Sequence, residues 1–286
     1  MSQQQDYRLE DPTWCPGCGL YGIFSAFKKA AKVLDLDPQR LVMVTGIGCH
    51  GRFNNYFRCY GFHALHGRTL PVASGIKLSN PRLEVVVISG DGDAYSIGLS
   101  HFIHSARKNI NIMFLVVNNQ VFALTQGQTS PTSERGYVSI STPMGAKERP
   151  LDGPLLALAA GATFVARGFS GDQAHLITLI EKAYRHQGFA LLEVLSPCVT
   201  HNKINTYQWF RKNIYKLEED SAFNPEDRKK AWDRVNKPGK IPVGLMFKGA
   251  APTYESLICP DQEKPLAEEE LKVEKSRLEE ILEKFE

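Results

Sequence analysis

The chain has 286 residues, of which 43% are hydrophobic and 23% are charged, and its formal net charge is +3. Such a composition is typical of a globular chain with a sizeable core, built as one large domain or as one domain with an extension. The nearly balanced charge gives no reason to expect nucleic acid or an anionic membrane as a partner. Because we find no basic leader and no run approaching roughly 18 apolar residues, we expect a cytoplasmic protein.

Hydrophobic periodicity predicts alternating helices and strands along the first two thirds of the chain. A helix is expected from Gly19 to Leu34, followed by a buried strand at 41–44. The apolar runs at 85–88 and 112–117 are typical of parallel strands that are covered on both faces. Between these runs, helical spacing of apolar residues predicts a crossover helix that contains Leu99, Phe102, Ile103 and Ala106.

A further helix from about 172 to 186 and a strand at 190–194 complete the alternation. This order predicts an α/β fold with a doubly wound parallel sheet. The segment 129–154 is rich in proline and glycine and shows little periodicity, so we expect a long loop that is either functional or disordered.

The composition of the sequence changes beyond residue 205, where charged residues and prolines become frequent. We therefore predict a main domain over 1–205 and an irregular C-terminal extension over 206–286. The extension is expected to end in an amphipathic helix, which either lies on the solvated surface or docks on a partner. Its apolar stripe consists of Leu278, Ile281, Leu282 and Phe285.

The segment 90–93, with the sequence Gly-Asp-Gly-Asp, follows a predicted strand and opens a predicted helix. Backbone N–H groups at such a position face a bound anion, and the carboxylate of Asp91 can coordinate magnesium. Asn119 follows the next strand, so both side chains are expected at the ligand-binding edge of the sheet. The alternative is two unrelated turns.

This arrangement resembles the thiamine-diphosphate motif, in which Gly-Asp-Gly and a later asparagine hold magnesium and the diphosphate of the cofactor. The resemblance implies that the magnesium ligands are Asp91, Asn119 and the main-chain carbonyl of Val121.

Six cysteines in a large chain indicate metal or redox chemistry more than a disulfide framework. Cys15 and Cys18 form a Cys-x-x-Cys pair, while Cys49 and Cys198 each follow a predicted strand end. Four thiolates of this kind suit an iron–sulfur cluster or a structural zinc ion, and spacing alone leaves both metals open. The remaining two thiols are expected to be ordinary packed or surface side chains, namely Cys59 and Cys259.

Several motifs occur in an order that resembles the β subunit of 2-oxoacid:ferredoxin oxidoreductases over roughly residues 10–215. They are Trp-Cys-Pro-Gly-Cys-Gly at 14–19, Gly-Ile-Gly-Cys-His-Gly-Arg at 46–52, His-Gly-Arg at 66–68 before Pro-Val-Ala-Ser-Gly-Ile-Lys at 71–77, the segment 90–93, and Ser-Pro-Cys at 196–198. The resemblance implies a [4Fe–4S] cluster on Cys15, Cys18, Cys49 and Cys198.

The resemblance also implies which residues line thiamine diphosphate. His66 could equally be a structural histidine. His50 stands where relatives often have a small residue, and Gln126 where many have lysine, which bears on substrate choice. The implied cofactor-binding residues are Gly46, Ile47, Gly48, Cys49, His50, His66, Gly90, Asp91, Gly92, Asp93, Asn119, Val121, Ala123 and Leu124, with Phe122 in the same segment.

By this resemblance, the enzyme decarboxylates a 2-oxoacid oxidatively, transfers the acyl group to coenzyme A and passes electrons through the cluster to ferredoxin, or runs the reverse carboxylation. The amino-acid sequences of these motifs, together with residues 206–210, most resemble those of the 2-oxoglutarate branch. The activating glutamate and the pyrimidine-binding half are expected on an α subunit, in a heterodimer or a dimer of heterodimers, so that the isolated chain is inactive.

Three alternatives remain open at this point. The substrate could be pyruvate or another 2-oxoacid. The chain could instead belong to a non-oxidative thiamine-dependent decarboxylase or carboligase with a structural zinc site. It could also be a non-catalytic subunit that holds a metal with its four cysteines.

Overall fold

The computed structural model describes residues 7–258, 265–268 and 274–284. Its strands are β1 (Leu41–Thr45), β2 (Tyr60–His63), β3 (Glu84–Gly90), β4 (Met113–Asn118), β5 (Val121–Phe122), β6 (Gln128–Thr129), β7 (Phe164–Phe169), β8 (Ala190–Leu195), β9 (Ile214–Lys216) and β10 (Ile241–Lys248). The helices are α1 (Gly19–Leu34), α2 (Phe53–Tyr56), α3 (Thr69–Ser79), α4 (Leu99–Lys108), α5 (Gly153–Ala160), α6 (Gln173–Tyr184), α7 (Tyr207–Asn213), α8 (Arg228–Val235), α9 (Tyr254–Ile258) and α10 (Lys275–Glu283).

Eight strands form one sheet in the order β2-β1-β3-β4-β8-β7-β10-β9, and β5 pairs with β6 in a separate small ribbon. Six neighbouring strands of this sheet are parallel to one another, namely β2, β1, β3, β4, β8 and β7. Strand β10 runs antiparallel to β7 and parallel to β9. Non-consecutive neighbours such as β1 and β3 or β4 and β8 require crossovers, which the helices provide.

Helices cover both faces of the sheet because the central strands are apolar on both sides. Along β3, Val86 and Ile88 pack in the cluster that contains α1 and α6, whereas Val85 and Val87 pack in the cluster that contains α3, α4, α5 and α8. The doubly wound α/β class is thereby confirmed. Within the described residues, we find no helix that combines the length and the apolar character needed to cross a membrane.

Most predicted elements of the first two hundred residues are present. Helix α1 has the predicted bounds, and the predicted strands at 41–44, 85–88, 112–117 and 190–194 correspond to β1, β3, β4 and β8. The sequence pattern does not predict strand β7, because Arg167 interrupts its apolar run. A charged residue is tolerated in this buried strand because it pairs with a carboxylate on the neighbouring strand.

The C-terminal segment is more regular than its sequence indicates. Strand β10 joins the main sheet despite Pro242 and Gly244, two residue types that weaken a strand pattern, and its pairing with β7 is irregular between Leu245 and Phe247. The domain boundary predicted at residue 205 stays a prediction. Helix α10 exposes the stripe of Leu278, Ile281 and Leu282, whereas Phe285 and Cys259 lie outside the described residues.

Candidate thiamine and cluster site

The predicted site segments meet at the carboxyl edge of the parallel strands. Gly46 follows β1 and its N–H donates to the carbonyl of Ile88 on β3 at 3.0 Å. Ser196 follows β8 and its N–H donates to the carbonyl of Asn118, the last residue of β4, at 2.8 Å. Four strand ends are thus joined side by side, and two cavities open beside them.

The first cavity, which we call the diphosphate cavity, has a volume of about 290 Å³. All predicted cofactor-binding residues except Gly46 line it. Gly46 lies behind the wall, where a Cβ atom would stand 2.0 Å from Oδ2 of Asp93. The complete lining is Ile47, Gly48, Cys49, His50, His66, Gly90, Asp91, Gly92, Asp93, Asn119, Val121, Phe122, Ala123, Leu124 and Thr125.

Glycines allow the walls of this cavity to pack closely. A Cβ atom on Gly48 or Gly90 would stand 2.6 or 2.7 Å from Cε1 of His50, and one on Gly92 would stand 2.3 Å from a ring carbon of Phe122. Distances this short cannot be accommodated without displacing an aromatic ring. The glycines are therefore needed for side-chain packing as well as for backbone access to a ligand.

Asp91 lies at the floor of the diphosphate cavity with almost no solvent exposure. Its Oδ2 accepts hydrogen bonds from the hydroxyls of Ser130 at 2.6 Å and Thr132 at 2.7 Å, and its Oδ1 accepts from the N–H of Asn119 at 3.3 Å. Burial raises the pKa of Asp91 to about 6, and these donors partly offset the shift. The site therefore places a desolvated carboxylate where a cation would stabilise its charge.

The carboxylate of Asp93 is fully engaged by the protein. Oδ1 accepts from Nδ1 of His66 at 2.8 Å, from the N–H of Gly67 at 2.8 Å and from the N–H of Ile47 at 3.3 Å. Oδ2 accepts from the hydroxyl of Ser89 at 2.5 Å. Asp93 thus connects the segment after β1, the turn at His66 and strand β3.

His50 is buried between Gly48 and Gly90. Burial lowers the pKa of its imidazole to about 4, although the nearby Asp93 acts in the opposite direction. Its Nε2 atom has no hydrogen-bond partner among the described residues. An unpaired buried nitrogen in a cavity wall is expected to meet a polar ligand, because leaving it unpaired is costly.

The second cavity, which we call the cysteine cavity, has a volume of about 210 Å³ and is lined by Cys15, Cys18, Cys49 and Cys198. The structure thus brings together all four predicted cluster ligands. Burial raises the pKa of Cys18 to about 11, and the other three cysteines add to the shift. The indole Nε1 of Trp14 donates to the carbonyl oxygen of Cys49 at 2.7 Å and fixes that end of the cavity.

In the part of the chain that the structure describes, no three His, Cys, Asp or Glu side chains are arranged to hold a metal ion. The predicted magnesium set contains only one of these residue types, Asp91, because its other ligands are an amide and a carbonyl. Cysteines around a cubane cluster bind different iron atoms and stand farther apart than ligands of a single ion. All four thiols line one cavity, and this arrangement leaves the cluster and the zinc ion both open.

The remaining described cysteine, Cys59, lies apart from this set. It is half-buried, its Sγ lies 3.7 Å from the carbonyl oxygen of Phe57, and burial raises its pKa to about 12. A thiol in this environment is poorly nucleophilic. The interpretation as an ordinary packed cysteine is consistent with this environment.

Comparisons with known proteins agree with this geometry. Residues 46–194 match the family described as "Thiamine pyrophosphate enzyme, C-terminal TPP binding domain", and residues 198–262 match the family of C-terminal regions of the pyruvate ferredoxin oxidoreductase beta subunit. The 2-oxoacid:ferredoxin oxidoreductase subunit beta of Saccharolobus solfataricus is 41% identical over 265 residues, which cover 88% of this chain and 87% of that protein. The chain belongs to the 2-oxoacid:ferredoxin oxidoreductase β-subunit family.

Two further relatives carry names that mention 2-oxoglutarate. The 2-oxoglutarate synthase subunit KorB of Methanothermobacter marburgensis is 37% identical and covers 81% of each chain. A solved 2-oxoglutarate:ferredoxin oxidoreductase from Magnetococcus marinus, which contains 2-oxoglutarate, coenzyme A and succinyl-CoA, matches 98% of this chain and 97% of that one with a TM-score of 0.91 and 36% identity.

As a 2-oxoacid:ferredoxin oxidoreductase β subunit, the chain is part of an enzyme complex with an α subunit, and residues 46–194 form a thiamine-diphosphate-binding domain. Sequence reasoning missed the hydroxyls of Ser130 and Thr132, which bind Asp91 from the long loop at 129–154. The available signal was a Ser-Pro-Thr-Ser sequence inside a loop whose length indicates either function or disorder.

Proposed function

We propose that this β subunit holds the diphosphate of thiamine diphosphate with magnesium in the diphosphate cavity and a [4Fe–4S] cluster in the cysteine cavity. The enzyme would oxidatively decarboxylate 2-oxoglutarate to its acyl-CoA and CO2 with ferredoxin as electron acceptor, or run the reverse carboxylation. One observation carries the proposal: Cys49, Asn119, Ala123 and Leu124 line both cavities. Cofactors bound in the two cavities would therefore be separated from each other by a single layer of side chains.

The residues present fit thiamine diphosphate and magnesium. Asp91 is a buried carboxylate at the floor of the cavity, Asn119 adds an amide oxygen, and the Val121 carbonyl is at the same strand end. Hard oxygen ligands of this kind suit magnesium bound to phosphate oxygens. The unpaired Nε2 of His50 is available to donate to a diphosphate oxygen.

When bound, thiamine diphosphate supplies a nucleophilic carbon for the 2-oxo group, and the cluster supplies single-electron transfer. The residues of this chain bind the cofactor and orient it. His66 presents Nε2 to the cavity because Asp93 occupies its Nδ1. Ala123 and Leu124 line both cavities and Phe122 lines the diphosphate cavity, so the boundary between the two cavities is largely apolar.

The mouth of the diphosphate cavity supports the position of the α subunit. Ile47 and Leu124 line this cavity and are exposed, Leu65 precedes His66 and is also exposed, and Ile97 lies exposed against Gly67. Exposed apolar residues grouped around a site mark a protein interface more often than a free surface. We place the pyrimidine-binding half of the site and its activating glutamate on the α subunit that covers this rim.

We favour 2-oxoglutarate as the substrate because the motif sequences resemble the 2-oxoglutarate branch and because the names of two similar proteins mention 2-oxoglutarate. Gln126 occupies an exposed turn position with a φ of 86°, where many relatives have lysine. A neutral side chain offers no ion pair to a second carboxylate, so an arginine of the α subunit would have to hold it. The assembled enzyme should reduce ferredoxin faster with 2-oxoglutarate than with pyruvate, and the reverse preference would reassign the substrate.

The first test is anaerobic purification of the αβ complex followed by EPR of the dithionite-reduced enzyme and by iron and zinc analysis. We expect an iron–sulfur signal and about four irons per β chain, the content of a cubane on four thiolates. Cys198→Ser should lower the iron content, whereas Cys59→Ser, a matched change outside the cysteine cavity, should not. Zinc without the EPR signal would contradict the proposed [4Fe–4S] cluster and the electron transfer to ferredoxin that depends on it.

The second test concerns the thiamine half of the site. Asp91→Ala should abolish retention of thiamine diphosphate, because it removes the carboxylate proposed to hold the metal. Asp233→Ala changes an exposed aspartate on α8 and should retain the cofactor. Normal thiamine content in Asp91→Ala would refute the assignment.

A further inference from the structure

A short turn of the long loop contacts both parts of the chain that carry the proposed magnesium ligands, namely Asp91 and the segment 119–121. We call residues 130–133, Ser-Pro-Thr-Ser, the hydroxyl turn. The hydroxyls of Ser130 and Thr132 donate to the same oxygen of Asp91, at 2.6 and 2.7 Å. Ser130, Thr132 and Ser133 are all buried, so water does not compete for these contacts.

The other side of the hydroxyl turn holds the segment that follows β4. The hydroxyl of Ser133 donates to the carbonyl of Gln120 at 2.6 Å, and Nε2 of Gln120 donates to the carbonyl of Thr132 at 3.2 Å. Gln120 has a φ of 61°, an unusual conformation for a residue with a side chain. It stands between Asn119 and Val121, so the turn stabilises the bend that places both proposed ligands.

Within the turn, Ser130 and Ser133 are tied to each other. The N–H of Ser130 donates to Oγ of Ser133 at 2.8 Å, while Oγ1 of Thr132 lies 3.0 Å from Oδ1 of Asn118 as well as beside Asp91. The single proton of Thr132 goes preferentially to the charged carboxylate, because charge-assisted hydrogen bonds are stronger. The turn therefore contacts the carboxylate that follows β3 on one side and the bend after β4 on the other.

We propose that the hydroxyl turn positions the magnesium ligands of this subunit, with Ser130 and Thr132 as positioning residues that direct Oδ1 of Asp91 to the metal. This inference rests on the proposed function. Two side-chain hydroxyls donate to Oδ2, whereas no side chain of the described residues donates to Oδ1, which accepts from the N–H of Asn119 at the longer distance of 3.3 Å. We therefore assign the cation to Oδ1, the oxygen that accepts no side-chain hydrogen bond from the described residues.

Neutral hydroxyls suit this task better than a lysine or arginine would. They fix the orientation of Asp91 and leave its negative charge for the metal, whereas a cationic side chain would compete with magnesium for the same oxygen. Partners of this kind behind a metal ligand typically change metal affinity by about 10–100-fold when they are removed.

The test measures thiamine diphosphate binding to the cofactor-free αβ complex by calorimetry at a series of Mg2+ concentrations. Thr132→Val is close in shape and lacks the hydroxyl, and Ser130→Ala removes the second donor. We expect each to raise the Mg2+ concentration needed for half-maximal cofactor binding by about 10-fold or more. Thr132→Ser keeps a hydroxyl and should remain close to the parent, and so should Ser139→Ala, which alters a partly exposed serine of the same loop outside the hydroxyl turn.

Saturating Mg2+ should restore cofactor binding in Thr132→Val, because the ligands themselves are unchanged. An unchanged Mg2+ requirement in Thr132→Val and Ser130→Ala would overturn the inference, and so would a loss that Thr132→Ser shares or that Mg2+ does not restore. These failures leave the proposed function intact as long as the parent binds thiamine diphosphate in a Mg2+-dependent way. A parent without that dependence would overturn the magnesium assignment and the inference together.

Discussion

Nδ1 of His66 and Oδ1 of Asp93 are joined by a hydrogen bond of 2.8 Å at the wall of the diphosphate cavity. A carboxylate only accepts, so Nδ1 carries the proton and Nε2 is the nitrogen left for a ligand. Asp93 is itself held by the N–H groups of Gly67 and Ile47 and by Ser89. We therefore propose that Asp93 influences thiamine diphosphate binding by orienting His66.

This relationship predicts that Asp93→Asn weakens thiamine diphosphate binding in the assembled enzyme. A hydrogen bond to a charged group contributes about 1.5–3 kcal/mol, which corresponds to a loss of roughly tenfold or more in affinity. The check is a double-mutant cycle with His66→Gln, followed by calorimetry. If Asp93 acts through His66, the double variant should bind little worse than His66→Gln alone, and fully additive losses would contradict this coupling.

Gly92 offers a test of how tightly the cavity wall is packed. Gly92→Ala places a Cβ atom 2.3 Å from the ring of Phe122, so the ring must move into the cavity or away from it. We expect clearly weaker thiamine diphosphate binding in calorimetry. Gly75→Ala, in α3, meets no atom within 4 Å and serves as the matched control. Equal binding by the two variants would show that the wall yields without cost.

The site was predictable from the sequence where it depends on strand ends. Asp91 and Asn119 follow adjacent parallel strands, and such ends meet at one edge whatever the details of packing. The contact of Thr132 with Asp91 was not predictable in this way, because the loop that brings it back has no periodicity. The use of Asp93 as a partner for His66 was also hidden, since sequence shows a second acidic residue and not where its oxygens point.

The fold shows the same division. Strands made of continuous apolar residues are evident in the sequence, whereas β7 is not, because its charged residue, Arg167, is explained only by a distant partner. That partner is Glu193 on β8, which Nε of Arg167 contacts at 2.6 Å. The pairing of side chains on neighbouring strands depends on tertiary structure, and the local sequence gives little information about it.

The same pair predicts a large change in stability. Nη2 of Arg167 also contacts Asp152 at 2.8 Å, and the hydroxyl of Tyr95 donates to Glu193 at 3.0 Å. Arg167→Met leaves the Glu193 carboxylate buried without its cation, which typically costs about 3–5 kcal/mol. Chemical denaturation of the αβ complex should show this loss.

Two comparisons separate the charge effect from a packing effect. Burial already raises the pKa of Glu193, and Arg167 opposes that shift. Without the arginine, protonation of Glu193 in the folded state relieves the penalty, so the deficit of Arg167→Met should shrink as pH falls. Arg167→Met combined with Glu193→Gln should recover part of the stability at neutral pH. A deficit that is the same at every pH and in the double variant would indicate lost packing alone.

His186 provides a pH-dependent stability test at the opposite end of the sheet from the two cavities. The hydroxyl of Thr163 donates to Oδ1 of Asn109 at 2.7 Å, so Nε2 of His186, also 2.7 Å from that hydroxyl, must donate to it. Burial, with a smaller contribution from Lys248, lowers the pKa of His186 from 6.5 to about 4. The folded chain therefore keeps this imidazole neutral, with its proton on Nε2, at pH values where the unfolded chain protonates it.

Between pH 6.5 and about 4, the unfolded chain binds a proton at His186 that the folded chain does not. Stability from this residue is complete above that window and is lost as the pH falls through it. Melting temperatures measured across the window should fall less steeply for His186→Gln than for the parent. His104→Gln changes an exposed histidine on α4 and should keep the parent's slope. A parent-like slope in His186→Gln would mean that other groups set the acid sensitivity of this subunit.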